Sequence, residues 1–219
     1  AAAADGTASL DKQKDTGSAY VEEDEGCDDL VAMEGSAMLG QLGKARRQCL
    51  EGSLSSSGRQ TSKSKISRVL IADARARKDR PDWERLMKRH LEDIDQSDPD
   101  MCLSYAIHLN RSGRSHSVIK WATRALDNKA EWSGRAFTKK VYQLHRLRAT
   151  AAHGLWERAD KAFIQERNDS NEAAAGKYRS KAKTYAREWL DYAKASGQDT
   201  SKPVKYCVSA AGNLEYCPG

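Results

Sequence analysis

Apolar residues recur every three or four positions along most of this chain, the spacing that places them on one face of an α-helix. Runs of Val, Ile and Thr are few, so little material remains for a β-sheet. The pattern therefore predicts an all-α fold. Three of the clearest apolar stripes are Ile66, Val69, Leu70 and Ala74; Leu86, Met87, Leu91 and Ile94; and Val118, Trp121, Ala122 and Ala125.

Helix-breaking residues recur between these stripes. Gly43, Gly113 and Gly154 each lie between two helical stretches. The step from Gly43 to Gly113 is 70 residues, and its midpoint falls on the breaking stretch 78–81. A period of about 35 residues with two helices per unit indicates a helical solenoid. We therefore expect hairpin turns near residues 43, 78, 113 and 154, aligned along a common edge.

Composition divides the chain into three parts. Residues 1–26 are mostly small and acidic and predict a flexible leader, because they cannot bury enough apolar surface to order themselves. Residues 27–196 predict the helical repeat domain, whose last helix caps the open end. Residues 197–219 predict a C-terminal loop closed by Cys207 and Cys217.

Charge is distributed unevenly. Residues 1–30 contain nine acidic residues and two lysines, whereas the rest of the chain contains 35 basic and 22 acidic residues. A basic body with an acidic end has two interpretations. It is a solvated helical surface, or the acidic leader screens a basic groove until an acidic partner displaces it.

The five cysteines favour an oxidising compartment. None forms a Cys-x-x-Cys pair, and no histidine has zinc-like spacing to them. Cys207 and Cys217 suit a disulfide that ties down the C-terminus, and Cys27 and Cys49 are placed to face each other on antiparallel helices. Cys102 remains as a buried free thiol. The alternative is a cytosolic protein with five inert thiols.

The first residues favour the same compartment. Ala1 to Gly6 resemble the stub that signal peptidase leaves, although a cloning scar has the same composition. No stretch of 18 apolar residues is present, so we expect no membrane span. We therefore predict a periplasmic or otherwise exported protein, with a cytoplasmic location as the alternative.

The region 27–196 resembles the tetratricopeptide-repeat family. The family places apolar residues at fixed offsets around a glycine turn, and the third unit has Gly113 followed by Val118, Ala122 and Ala125. The fourth unit matches at Gly154, and the second and first match more loosely, while the family's first-helix Trp and Tyr are missing from their offsets. The resemblance covers four degenerate units.

This resemblance implies a right-handed superhelix of antiparallel helix pairs, with the first helices lining a concave groove. It implies a scaffold or adaptor role without catalysis. Arginine and asparagine in such a groove could hold a partner's backbone or carboxylate by forked hydrogen bonds. By position, the groove residues are Arg68, Ala72, Arg75, Leu103, Ile107, Asn110, Arg111, Leu144, Arg148 and Ala151.

No catalytic or cofactor motif is evident. The sequence contains no phosphate-binding glycine loop and no His-Glu-x-x-His. His90 lies close to Glu92 and Asp93, but a helix-face position explains it. His145 and His153 lie two helical turns apart without an evident third metal ligand. We expect no enzyme activity, cofactor, metal or small-molecule ligand.

These observations predict a non-catalytic scaffold that binds another protein or peptide in a cell-envelope assembly of the secretion, pilus or surface-motility type. The alternative is a basic solenoid that binds an anionic polymer, either nucleic acid or cell-wall material. Nucleic acid is disfavoured because aromatic residues are not interleaved with the basic ones and an exported protein rarely meets it. The affinity for an anionic polymer should fall steeply as the salt concentration rises, whereas the affinity of a groove that buries apolar side chains should not.

Overall fold

The computed structural model describes residues 40, 42–55, 60–132 and 136–217. Within these ranges the protein is entirely helical, as predicted. A π-helical segment, His90–Ile94, extends the third helix, and a 3₁₀ turn, Lys129–Glu131, follows the fifth. The eight α-helices are α1 (Lys44–Ser55), α2 (Gln60–Ala76), α3 (Arg80–Arg89), α4 (Pro99–Arg111), α5 (Ser115–Asp127), α6 (Ala136–Gln165), α7 (Asp169–Ala195) and α8 (Ser201–Ala211).

Helices α2 and α3 form a hairpin whose turn is centred on Lys78. The Lys78 amide donates to the carbonyl of Arg75, and the Asp79 amide donates to the carbonyl of Ala74. These two bonds define a Schellman motif, which needs a left-handed residue at its centre. Lys78 supplies that conformation with a φ of 60°. The predicted turn near residue 78 is therefore confirmed.

Helices α4 and α5 form the next hairpin around Gly113. The amides of Gly113 and Arg114 bond to the carbonyls of Asn110 and Leu109, so the turn repeats the same motif 35 residues later. Gly113 has a φ of 70°, which glycine adopts without a steric penalty. The prediction of a turn at Gly113 is confirmed.

The predicted turn at Gly154 is wrong. Gly154 lies inside α6, which is continuous over 30 residues. An isolated glycine costs a helix only about 1 kcal/mol, and burial of the apolar residues on either side offsets that cost. Ala151, Ala152 and Leu155 are all buried there. The chain reverses at residues 166–168 instead, where Asn168 caps α7 with a side-chain bond from the Asn171 amide.

The C-terminal segment 197–219 is not simply a loop, because residues 201–211 form α8. Pro203 lies in its first turn, and α8 packs against α7 and α6. Cys207 lies on α8, and its sulfur is 1.98 Å from that of Cys217, which is disulfide distance. The pairing predicted for these two cysteines is therefore consistent with the structure.

The expected first turn at Gly43 is displaced. Gly43 directly precedes α1, whereas Gly40 has the positive φ of 88°. A Cβ atom at Gly40 would lie 3.1 Å from the Cβ of Ala76, so the chain passes close to the end of α2 at this point. The expected leader 1–26, and Cys27 with its predicted bond to Cys49, lie outside the described residues.

The main hydrophobic core runs from α1 to α6 and joins successive helices. A second, smaller core joins α6, α7 and α8 around the fully buried Trp189. Cys102, predicted as a buried free thiol, is free and fully buried in α4. None of the helices in the described ranges is long and apolar enough to cross a membrane.

Candidate partner-binding cleft

A cleft lies between α2, the start of α3 and α4, and we call it the α2–α4 cleft. Its volume is about 570 Å³, within the usual range of ligand clefts. The Schellman turn at Lys78 forms one end. The cleft is lined by Ala74, Arg75, Lys78, Asp79, Arg80, Trp83, Ser104, Ile107, His108 and Arg111.

An apolar wall runs along one side of the cleft. Trp83 lies against His108, with ring centroids 4.7 Å apart, and meets the edge of Tyr105 behind it. Ile107 is half-buried one turn before Arg111 and packs against the main core. Because these side chains are anchored in the core, the wall is preformed and can receive an apolar group at little conformational cost.

Four exposed cations line the same cleft. Arg75, Lys78 and Arg111 form no ion pair with any carboxylate in the described part of the chain, and Arg80 donates only to the Ser112 hydroxyl at 3.2 Å. By contrast, Arg77 is paired with Asp73, Asp79 and Asp82. Among the described residues, the four cleft cations therefore have no carboxylate partner.

The carboxylates near the cleft already have partners within the chain. Asp79 accepts from the Asp82 amide and from Arg77. Glu84, behind the wall, accepts from Arg114 at 2.6 Å and lies 3.3 Å from the Nε2 atom of His108. The Arg114 hydrogen bond is the main reason that the pKa of Glu84 falls to about 2, although burial opposes the shift. Neither carboxylate forms an ion pair with the four cleft cations.

Three predicted groove residues line this cleft: Arg75, Ile107 and Arg111. They come from α2 and α4, which are the first helices of the two confirmed hairpins. Asn110 is exposed beside Arg111, and Ala72 is half-buried on α2, but neither lines the cleft. Arg68 is exposed and donates to Asp98, so its guanidinium is already engaged within the chain.

Four other predicted groove residues are buried and do not present a surface. Leu103, Leu144 and Ala151 belong to the main core, and Leu144 is fully buried. Arg148 is paired with Glu188 of α7 and stacks over the Tyr185 ring. Leu103 lies on the core-facing side of α4. The other three lie on the continuous helix α6, which packs against α5 and α7 on different sides. We therefore leave these four residues out of the candidate site.

A second cavity of about 330 Å³ lies between α6 and α8. His153 is held between the rings of Trp156 and Tyr206; its Nε2 lies 3.0 Å from the Ser209 hydroxyl and its Nδ1 3.4 Å from Glu157. These residue types resemble a catalytic triad. However, Ser209 lies inside α8, where the amides bond within the helix and cannot form an oxyanion hole. The contact between His153 and Ser209 joins α6 to α8.

A buried polar cluster joins α2, α3 and α4. His90, Asp95 and Asp98 offer three metal-ligand atoms within 4.8 Å of one another, a group that the sequence spacing did not reveal. Both oxygens of Asp98 are already used. Oδ1 accepts from the amides of Asp100 and Met101, and Oδ2 accepts from His90 and Arg68. Arg68 and His90 therefore already contact Asp98, one of the three candidate ligands.

Sequence reasoning found only three of the ten residues that line the cleft. Lys78 and Arg80 belong to the turn, and the sequence pattern marked that turn only as a break. Trp83 is half-buried, packs against the main core and also forms the cleft wall. A signal was present in the sequence: three of the four residues 77–80 are basic.

Comparisons of this chain with known protein families, with curated proteins and with solved structures find no match. The packed pairs of adjacent helices are compatible with a helical repeat, and no family match supports the resemblance to tetratricopeptide repeats.

Proposed function

We propose that this protein is a non-catalytic scaffold that binds another protein through the α2–α4 cleft. The observation that carries the proposal is the pairing, in one open cleft, of a preformed apolar wall with four exposed cations that have no carboxylate partner among the described residues. Interfaces combine an apolar centre with a polar rim in this way. The turns at Lys78 and Gly113, 35 residues apart, support a solenoid of tetratricopeptide type.

We further propose an exported, periplasmic location and a role in a cell-envelope assembly of the secretion, pilus or surface-motility type. Support comes from the Cys207 and Cys217 sulfurs, which stand at bonding distance, because disulfides persist in oxidising compartments. The absence of a membrane-spanning helix from the described ranges is compatible with this location.

The alternative function is binding of an anionic polymer, either nucleic acid or cell-wall material. The same four cations favour it, because arginine and lysine bind phosphates with release of counterions. The two functions differ in their use of Ile107. A polyanion needs only the charges, whereas a protein partner also buries apolar side chains against the wall.

A pulldown from envelope extract at low and high salt tests the proposal. Wild type is compared with Ile107→Asp, and with Leu214→Asp as a control at an apolar residue that is 67% exposed. We expect one partner protein to remain at high salt, to be retained by the control and to be lost from Ile107→Asp. Recovery of nucleic acid without protein would overturn the proposal.

A further inference from the structure

One residue of the α2–α4 cleft is held in an unfavourable backbone conformation. Lys78 is the only residue other than glycine with a positive φ in the described ranges. The same Schellman motif occurs at two other helix ends, where Gly113 and Gly197 occupy the equivalent position. A side chain with a Cβ atom is strained in this conformation, whereas glycine is not.

Strain of this kind is retained where the side chain is used. Lys78 lines the cleft, is exposed and forms no ion pair within the described residues, so packing and internal pairing do not explain its presence. Lys78 lies between Arg75 and Arg80 in sequence, and Arg111 of α4 lines the same cleft. The chain therefore places a strained lysine in a cluster of free cations.

From this we infer that the α2–α4 cleft binds a short acidic segment of another protein, in which carboxylates flank an apolar side chain, and that Lys78 is an anchor for one carboxylate. Arg75, Arg80 and Arg111 receive the other acidic groups, and Trp83 with Ile107 receives the apolar side chain. This inference rests on the proposed function and adds the chemistry of the partner.

Charge complementarity favours a carboxylate-bearing peptide over a polyanion. The cleft is lined by cations and by apolar side chains together, so a ligand that fills it presents both charge and an apolar group. A phosphate polymer would use the cations and leave Trp83 and Ile107 without a partner.

The test is a titration of the full chain with two synthetic peptides, Glu-Glu-Leu-Glu-Glu and its uncharged counterpart Gln-Gln-Leu-Gln-Gln, both blocked at their ends. We expect binding of the acidic peptide only, with affinity that falls as salt rises. Replacing Lys78 with glycine should weaken that binding about tenfold. The same variant should unfold about 2–4 °C higher, because glycine relieves the strain.

If Lys78 is an anchor, Lys78→Gly weakens peptide binding while it raises the unfolding temperature. If Lys78 is only a structural residue, the substitution leaves peptide binding unchanged. Lys161→Gln is the matched control, since Lys161 is an exposed lysine of α6 outside the cleft, and it should change neither quantity. Equal binding by wild type and Lys78→Gly would overturn the inference, as would equal binding of a DNA oligonucleotide. Binding that requires removal of residues 1–26 would also overturn it, because the occupant would then be the chain's own acidic segment.

Failure here is distinguishable from failure of the proposed function. If the acidic peptide does not bind but Ile107→Asp still abolishes capture of a partner protein, the scaffold function stands and the partner chemistry is wrong. If the peptide binds and no partner protein is captured through Ile107, the scaffold function is wrong.

Discussion

Arg68 donates a hydrogen bond from Nε to one oxygen of Asp98 at 2.8 Å, and its Nη2 forms an ion pair with the same oxygen at 2.6 Å. Arg68 lies on α2 and Asp98 caps α4, so this pair ties the first helices of the two confirmed hairpins together. His90 adds a second hydrogen bond to the same oxygen. Burial opposes ionisation of Asp98, but the hydrogen bonds from His90 and the Met101 amide and the charge of Arg68 outweigh it and lower its pKa.

Replacing Asp98 with asparagine tests how much its interactions with Arg68 and His90 stabilise the protein. Asparagine caps helices as well as aspartate does, so the variant keeps the cap of α4 and loses the charge that receives Arg68 and His90. We expect the free energy of unfolding in urea to fall by about 2 kcal/mol, less than for a fully buried pair because Arg68 is half-exposed.

The control for Asp98→Asn is Asp127→Asn, at an exposed position near the end of α5. It should change the free energy of unfolding by no more than about 0.5 kcal/mol. Equal stability of Asp98→Asn and Asp127→Asn would contradict the role given to Asp98.

Gly154→Ala tests whether α6 is continuous. A Cβ atom at Gly154 meets nothing closer than the Arg158 guanidinium at 3.9 Å, so alanine fits without strain. Because glycine weakens a helix interior, the variant should be more stable by about 0.5–1 kcal/mol. Gly113→Ala, at a positive φ, should instead be less stable. A loss of stability in Gly154→Ala would indicate that the chain turns there after all.

His145 makes stability depend on pH. Burial lowers its pKa to about 4, and the charges of Arg148 and Lys129 act in the same direction. The unfolded chain binds a proton at this histidine near pH 6.5 and the folded chain only near pH 4, so protonation favours unfolding between these values. The free energy of unfolding should fall by up to about 3 kcal/mol from this site as pH drops from 6.5 to 4.

His145→Phe isolates that contribution, since it preserves the stacking of a ring on Tyr192, whose centroid lies 5.1 Å away. Urea denaturation at several pH values should show a shallower fall in stability for the variant than for wild type. Parallel pH profiles would contradict the assignment to His145.

The C-terminal cysteines predict both a stability change and a thiol count. Replacing Cys207 and Cys217 with serine should reduce the free energy of unfolding by about 2–3 kcal/mol, because the cross-link restricts the unfolded chain. Titration of the denatured, unreduced wild type should find one free thiol, that of Cys102. Five free thiols would remove the argument for an exported protein.

The sequence predicted the helices well because their apolar stripes continue through the core. The turn at Gly113 was also predictable, since glycine adopts the left-handed conformation that ends a helix. The turn predicted at Gly154 was wrong because glycine is also tolerated inside a helix, here α6, when both sides of that helix are packed. Local spacing alone does not distinguish those cases.

The candidate site was predictable only in part. Arg75, Ile107 and Arg111 follow from helical position once the hairpins are assigned. Lys78 and Trp83 required the structure, because their roles depend on a left-handed turn and on a half-buried ring that faces a neighbouring helix. Leu144 and Arg148 were placed in the groove by extending a repeat into α6, where both faces of the helix are covered.

The most direct measurement of the central claim is site-specific photo-crosslinking in envelope extract. A photoreactive amino acid is placed at Ile107 in the α2–α4 cleft and, in a separate protein, at the exposed Gln165 at the end of α6. The account predicts one polypeptide adduct at position 107, reduced by Arg111→Glu in the same chain, and none at 165. Absence of an adduct at 107, or the same adducts at both positions, would contradict it.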